Sequence, residues 1–195
     1  MTGQKLSHRR YYRYDPLANS FAGVGFSTDD DDEAISDIHW TDSHLSATWK
    51  PRRCHVFDDN PPIEGDFPSL SNLRRIPLLS ERAWVALRQL IGFCCEALPI
   101  IHPSGRHYFI VHVMNTIDCL DVEASEVSRS EVRKNRINRI YRYAFKDAML
   151  HGEHIFKLPH LSGGELIVDD EFRKCVETNR LRGLCFEELP MNPPK

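Results

Sequence analysis

Residues 108–115 read YFIVHVMN, and the apolar pattern continues to Ile117. The segment is rich in β-branched and aromatic residues, and it is apolar at odd and even positions alike. A strand with one face in water alternates apolar and polar residues, whereas a strand covered on both faces does not. The pattern therefore predicts a central strand over residues 108–117, which we expect to be the spine of a sheet.

A helix is predicted shortly before this strand, between Ser80 and Gly92. Ser80 is a favourable N-cap, and Glu81 complements the positive end of the helix dipole. Gly92 suits the left-handed conformation that often ends a helix. Apolar residues recur at helical spacing at Trp84, Leu87, Leu90 and Ile91. We expect this helix to pack its apolar face on the sheet.

The residues after the central strand predict further strands and one more helix. Residues 127–149 fit either a helical or an extended period, and a strand from about Ile140 is the favoured interpretation. Residues 166–168 resemble a short strand. Asp169 is placed to cap a helix that Gly183 ends, and a final strand follows. This order indicates an α+β fold with a largely antiparallel sheet and a few packed helices.

The N-terminal third has a less regular pattern. Residues 11–14 predict a first strand, which Asp15 and Pro16 interrupt. Five acidic residues at 29–33 then begin an acidic run that extends through Asp37 and Asp42 without a lysine or arginine. Because such a block repels itself, we expect an exposed, mobile loop over about residues 27–35. We predict a single domain over residues 1–195, in which an irregular subregion, 1–75, precedes the main α+β core, 76–195.

Several short motifs follow one another along the chain. They include Gly65-Asp66-Phe67-Pro68, Asn115, Asp118-Cys119-Leu120-Asp121, Ile155-Phe156-Lys157-Leu158-Pro159 and Gly183-Leu184-Cys185-Phe186. Their order resembles family eleven of the immunity proteins of bacterial polymorphic-toxin systems. Further landmarks at residues 11–14, at Trp40 and Trp49, and at 77–83 and 96–99 extend the resemblance over nearly the whole chain.

The resemblance implies a non-catalytic protein that binds the toxin domain of a cognate bacterial effector and blocks its active site or holds it inactive. No cofactor and no metal are expected, because the sequence has no Gly-rich phosphate loop, no His-Glu-x-x-His pattern and no Cys-x-x-Cys spacing. The motif residues are expected to have structural roles: Asp66, Phe67, Pro68, Asn115, Asp118, Asp121, Phe156, Pro159, Gly183 and Phe186.

Composition agrees with such a protein. The 195 residues are 41% hydrophobic and 27% charged, which is ordinary for a globular domain. The net charge of −3 gives no global nucleic-acid signature. The apolar stretches are shorter than the roughly 20 residues that cross a bilayer, and the N-terminus lacks a signal-peptide pattern. We therefore expect a cytoplasmic location, no contact with membrane or nucleic acid, and six reduced cysteines. Oligomeric state is left open.

Two alternatives to an immunity protein remain at this point. Asp118 and Asp121 could act as an acid and a base, or hold a metal, together with a histidine such as His112 or His154. That interpretation predicts an uncharacterised hydrolase. The structural interpretation is that the same aspartates cap the next element or pair with the basic region from Arg129 to Arg142. The second alternative is a non-catalytic adaptor with no toxin.

Two charge clusters of opposite sign complete the candidates. The acidic cluster is predicted to contact the toxin through Asp29, Asp30, Asp31, Asp32, Glu33 and Asp37. The basic cluster comprises Arg129, Arg133, Lys134, Arg136, Arg139 and Arg142. The simplest interpretation is two solvated surfaces that attract one another. The functional interpretation is that the acidic segment imitates phosphate in the cationic cleft of a nuclease toxin.

Overall fold

The computed structural model describes residues 9–18, 20–26, 28–57, 63–70, 73, 75–131, 136–161 and 164–192; for Asp29, Asp30 and Asp32 it describes the backbone alone. The elements in chain order are β1 (Tyr11–Pro16), β2 (Val24–Phe26), α1 (Asp29–Ile38), β3 (Arg52–Val56), β4 (Leu78–Ser80), α2 (Glu81–Ile91), β5 (Cys95–Ile101), β6 (His107–Val113), β7 (Glu126–Arg129), β8 (Ile137–Arg142), a 3-10 turn (Asp147–Met149), β9 (Ile155–Lys157), β10 (Leu166–Asp169), α3 (Asp170–Thr178) and β11 (Leu184–Glu188). The predicted α+β class is confirmed.

One sheet contains the predicted central strand. Its order is β2-β3-β5-β6-β4, and every pairing is antiparallel except the parallel pairing of β3 with β5. Strand β6 is covered on both faces: Val111 and Val113 belong to the apolar cluster around α2, while Tyr108 and Ile110 belong to a second cluster around α1. The strand ends at Val113, four residues earlier than predicted, and the chain then pairs with Lys157 of β9: Lys157 N–H donates to the Asn115 carbonyl at 2.8 Å, and Ile117 N–H donates to the Lys157 carbonyl at 2.9 Å.

Helix α2 begins where the sequence predicts, but its end differs. The Ser80 hydroxyl accepts a hydrogen bond from Ala83 N–H at 3.1 Å, and Ala83, Leu87 and Ile91 are buried. Gly92 has a φ of −67°, so the predicted left-handed conformation is wrong. A Cβ at this position would lie 2.5 Å from the Arg88 carbonyl oxygen. Close approach of the backbone is what favours glycine there.

A second sheet joins the two ends of the chain. Its order is β11-β1-β10-β9, with all pairings antiparallel, so β1 lies between two C-terminal strands. Asp169 caps α3 as predicted, accepting a hydrogen bond from Phe172 N–H at 3.0 Å. The helix ends at Thr178 with Asn179 as its C-cap, not at Gly183. Gly183, at φ +107°, turns the chain into β11 instead.

The remaining predictions concern the 127–149 region and the cysteines. Residues 137–142 form β8, which pairs with β7, so the extended interpretation is correct and the strand begins earlier than Ile140. All six cysteines are free thiols. Burial raises the pKa of Cys119 to about 12, which makes this thiol unreactive. Among the described residues, no helix is long and apolar enough to span a membrane.

Candidate partner-binding surface

The acidic segment is helical, which corrects the prediction of a loop over residues 27–35. The Thr28 side chain accepts a hydrogen bond from Asp31 N–H at 3.2 Å and caps α1. Aspartates in the first turn of a helix interact favourably with the helix dipole. The acidic run, which we expected to repel itself in a loop, therefore stabilises the N-terminus of α1. Ile35 and Ile38 on the opposite face are buried in the core. This burial ties α1 to the sheet.

The acidic residues of α1 are not equivalent. Asp31 forms an ion pair with Arg52 of β3, and this interaction lowers the pKa of the Asp31 carboxyl. Glu33 and Asp37, one turn apart, are exposed and form no ion pair with any residue that the structure describes. The backbones of Asp29, Asp30 and Asp32 belong to the helix, while their side chains lie outside the described atoms. Glu33 and Asp37 are therefore the acidic groups that the described part of α1 presents to solvent.

Trp40 extends this exposed stripe. It follows Asp37 by three residues, and its N–H donates to the Asp37 carbonyl at 3.0 Å, so a tight turn carries the chain two residues past the end of α1. Its side chain is 52% exposed. Positions 33, 37 and 40 have the i, i+4, i+7 spacing of one helix face. We call this set, Glu33, Asp37 and Trp40, the α1 face.

Two neighbouring side chains pack against the indole ring of Trp40. The Arg75 guanidinium carbon lies 5.2 Å from the centroid of the Trp40 ring, within the range of a cation–π contact. The His39 ring packs edge-on against the same indole, with centroids 4.7 Å apart. Burial, together with the charges of Lys157 and Arg75, lowers the pKa of His39 to about 4, so this ring is neutral at physiological pH. An aromatic ring and an arginine thus lie together at the end of the α1 face.

Two buried side chains bind the backbone carbonyls on either side of Trp40. The Lys157 ammonium group donates to the His39 carbonyl at 2.9 Å, to the Thr41 carbonyl at 3.5 Å and to the Asp42 carboxylate at 3.0 Å. His112 Nε2, on β6, lies 2.9 Å from the same Thr41 carbonyl. Both Lys157 and His112 are buried. The first carbonyls after α1 therefore contact a cation, as the negative end of a helix dipole favours.

A second polar contact holds the loop that follows. Glu96 of β5 accepts hydrogen bonds from Leu45 N–H and from the Ser46 hydroxyl, both at 2.7 Å, and contacts His44 Nδ1 at 2.9 Å. Burial raises the pKa of Glu96, but these hydrogen bonds and one from His112 outweigh that effect and lower it to about 2. The loop after Trp40 is thus fixed to the five-stranded sheet by a charged carboxylate.

The residues predicted for an alternative hydrolase are not brought together. The Asp121 carboxylate accepts hydrogen bonds from Glu123 N–H at 3.2 Å and Ala124 N–H at 3.1 Å, which is the capping role expected for it. His154 lies 3.0 Å from the Asp169 carboxylate, and Asp118 is exposed. Within the described ranges, no hydrogen bond joins Asp118 or Asp121 to His112 or His154. No cluster of possible metal ligands occurs there either.

A cavity of about 390 Å³ lies elsewhere, at the start of α2 and β6. It is lined by Asp66, Arg82, Glu64 and Arg106, among others, and excludes the four residues of the hydrolase alternative. Arg82 pairs with Asp66 and Arg106 pairs with Glu64, so these charges are mutually neutralised. The cavity supplies no catalytic arrangement for that alternative.

The motif residues mostly make packing and turn contacts. Asp66 accepts hydrogen bonds from the Ser80 hydroxyl at 2.8 Å and from Arg182 N–H at 2.9 Å, which connects distant loops. Asn115 donates to the Ile155 carbonyl at 3.0 Å. Phe67, Pro68 and Phe156 are buried, Phe186 packs on the core and Gly183 makes a turn, whereas Pro159 is half-buried and Asp118 is exposed. These contacts agree with structural roles and mark no reactive group.

The basic cluster does not pair with the acidic one in the described part of the chain. Arg139 lies over the Tyr141 ring at 5.2 Å, and Arg142 contacts Glu126 at 3.7 Å. Arg133 and Lys134 lie outside the described residues. The partners of the acidic segment are Arg52 and Lys157 instead, and neither belongs to the basic cluster. Sequence reasoning missed both partners, because each contact joins residues far apart in the chain.

Comparison with known proteins shows a similarity to one family over part of the chain. No curated protein matches the chain. A family model, described as the Immunity protein family (Imm11), matches residues 102–190. The match includes β6 to β11 and the residues Lys157 and His112 that hold the backbone around Trp40. The landmarks predicted upstream of residue 102 lie outside the match. The chain is thus similar over residues 102–190 to the Immunity protein family (Imm11), which confirms the resemblance predicted from its sequence.

Proposed function

We propose that this protein binds the toxin domain of a cognate bacterial effector in the cytoplasm and neutralises it by occluding the toxin's active site, without catalysis of its own. The observation that carries the proposal is the match of residues 102–190 to an immunity protein family. Asp121, His112 and His154 each contact other groups of the fold, and these contacts give the hydrolase alternative no support.

The acidic N-terminal segment is the proposed contact with the toxin, through residues 29–33 and Asp37. Exposed carboxylates at Glu33 and Asp37 suit a cationic partner such as the nucleic-acid cleft of a nuclease toxin. Opposite potentials accelerate association, which benefits an inhibitor that must act before damage accumulates. Occupation of such a cleft by carboxylates would exclude the phosphate groups of the substrate.

The proposal is tested by survival of bacteria that express the effector encoded next to this gene, with and without this protein. Rescue accompanied by co-purification of the two proteins is the expected result. Rescue without a complex would refute inhibition by binding and favour an enzymatic mechanism. Failure to rescue would refute immunity against that effector.

The contact surface requires a separate experiment. The double substitution Glu33→Lys and Asp37→Lys reverses two exposed charges without breaking an ion pair of a described residue, whereas reversal of Asp31 would break its pair with Arg52. We expect weaker toxin binding, with a smaller dependence on salt. The matched control is Asp118→Lys with Glu123→Lys, which makes the same change of charge at exposed positions elsewhere.

Equal affinity and equal salt dependence of the α1 variant and wild type would refute the acidic contact. Immunity itself would stand if wild type still rescued the cells. Equal weakening in both variants would show that net charge, and not the α1 face, determines affinity. The two results therefore separate the location of the contact from the function.

A further inference from the structure

We infer that Trp40 is the anchor of the α1 face and that the surface covering it is a basic patch of the toxin containing an apolar socket for the indole. This inference rests on the proposed function and specifies its contact. It makes one exposed residue responsible for much of the affinity, and it assigns Lys157 and His112 the role of positioning that residue.

The exposure and chemistry of Trp40 support an anchor. Its side chain is 52% exposed although it is the largest apolar side chain available. Tryptophan and arginine are the residues most enriched at the energetic centres of protein interfaces, and Arg75 lies against the same ring. An isolated exposed apolar residue is common, but this one adjoins two exposed carboxylates on the same helix face.

The charges around the ring specify the partner. Glu33 and Asp37 are exposed and lie seven and three residues before Trp40, whereas Asp42 on its other side pairs with Lys157, and Arg75 lies against the ring. A polar rim around an apolar centre is the usual anatomy of a protein interface. Because the exposed carboxylates of Glu33 and Asp37 outnumber the one cation, Arg75, that lies against the ring, the complementary rim is predominantly basic. A second copy of this chain is a poor partner for the same reason, since two acidic faces would oppose each other.

The backbone contacts show how the ring is presented. Lys157 and His112 bind the carbonyls of His39 and Thr41, the residues directly before and after Trp40. Burial of a lysine is costly, so its place here requires good hydrogen-bond partners. Capping of α1 accounts for Lys157 alone. It does not account for an exposed tryptophan between the two carbonyls that Lys157 binds, whereas a fixed anchor loses less entropy on binding.

The experiment measures affinity of the purified protein for the purified toxin domain encoded by the neighbouring effector gene. Trp40→Ala should weaken binding by about 30-fold or more, as expected for an interface hot spot. The control Phe93→Ala removes another exposed aromatic side chain, 63% exposed on the loop after α2, and should change affinity less than about threefold. Trp40→Phe should recover part of the loss.

Each other outcome overturns the inference. Affinity of Trp40→Ala within about threefold of wild type would show that Trp40 is not an anchor, while rescue by wild type would leave immunity intact. Self-association of wild type that Trp40→Ala abolishes, measured by sedimentation, would assign the face to a second copy. If Glu33→Lys with Asp37→Lys tightened binding, the partner would be acidic. If wild type neither bound the toxin nor rescued the cells, both the inference and the proposed function would be refuted.

Discussion

Replacement of Lys157 by methionine should destabilise the protein by about 1–2 kcal/mol. The substitution keeps the volume of the buried side chain but leaves the His39 carbonyl without its donor at 2.9 Å. An unpaired buried carbonyl costs about 1–3 kcal/mol. The Thr41 carbonyl keeps His112, and the half-exposed Asp42 carboxylate regains water. Removal of a buried ammonium group returns part of its desolvation cost, which places the net loss in the lower part of this range.

Urea unfolding of wild type and Lys157→Met measures this loss, with Lys174→Met as the control. Lys174 is exposed on α3, so its replacement should change the free energy of unfolding by no more than about 0.5 kcal/mol. Hydrogen exchange gives a local readout, because the His39 and Trp40 amides, which donate to the carbonyls of Ser36 and Asp37, should exchange faster in Lys157→Met. A variant as stable as wild type, with unchanged exchange at these amides, would refute the view that Lys157 holds the segment after α1.

Three other predictions concern positions outside the α1 face. Asp118→Asn should leave unfolding free energy and toxin binding unchanged, because Asp118 is exposed, and loss of protection in a folded variant would revive the hydrolase alternative. Phe156→Ala should cost about 3–5 kcal/mol in urea unfolding, because Phe156 is fully buried, whereas exposed Met149→Ala should cost less than about 0.5 kcal/mol; similar losses would contradict the assigned core. The folded pKa of Glu96, about 2, lies below its ordinary value of 4.5, so its stabilisation is complete above pH 4.5 and is lost as pH falls toward 2. Wild type should therefore exceed Glu96→Gln in stability at neutral pH and converge with it in acid, and a pH-independent difference would contradict this.

The sequence predicted those elements whose signals are local. Ser80 and the helical spacing of the residues after it predict α2, and the apolar run at 108–113 predicts a strand covered on both faces. The same kind of signal was present for α1, since Thr28 followed by acidic residues is a typical helix N-terminus. Self-repulsion of the charge run predicts a loop, but aspartates in the first turn interact favourably with the helix dipole, and this effect favours the helix.

The site depends on contacts that no local pattern contains. Lys157 reaches His39 across most of the chain, and Glu96 reaches Leu45 and Ser46 from a different strand. Whether Trp40 is exposed is decided by where the chain turns after α1, and that turn is set by these distant partners. A sequence pattern can therefore nominate the acidic segment but not the aromatic residue beside it.

The position of β1 has a consequence for how the chain reaches its final state. Tyr12 pairs with Val168 on one side and with Glu188 on the other, so a strand near the start of the chain separates two strands near its end. Residues 102–190 without β1 would expose two unpaired strand edges, which are templates for aggregation. We therefore expect that the segment that matches the family does not fold by itself. Closure of the four-stranded sheet must await synthesis of β11, and until then β1 has no partner on that side.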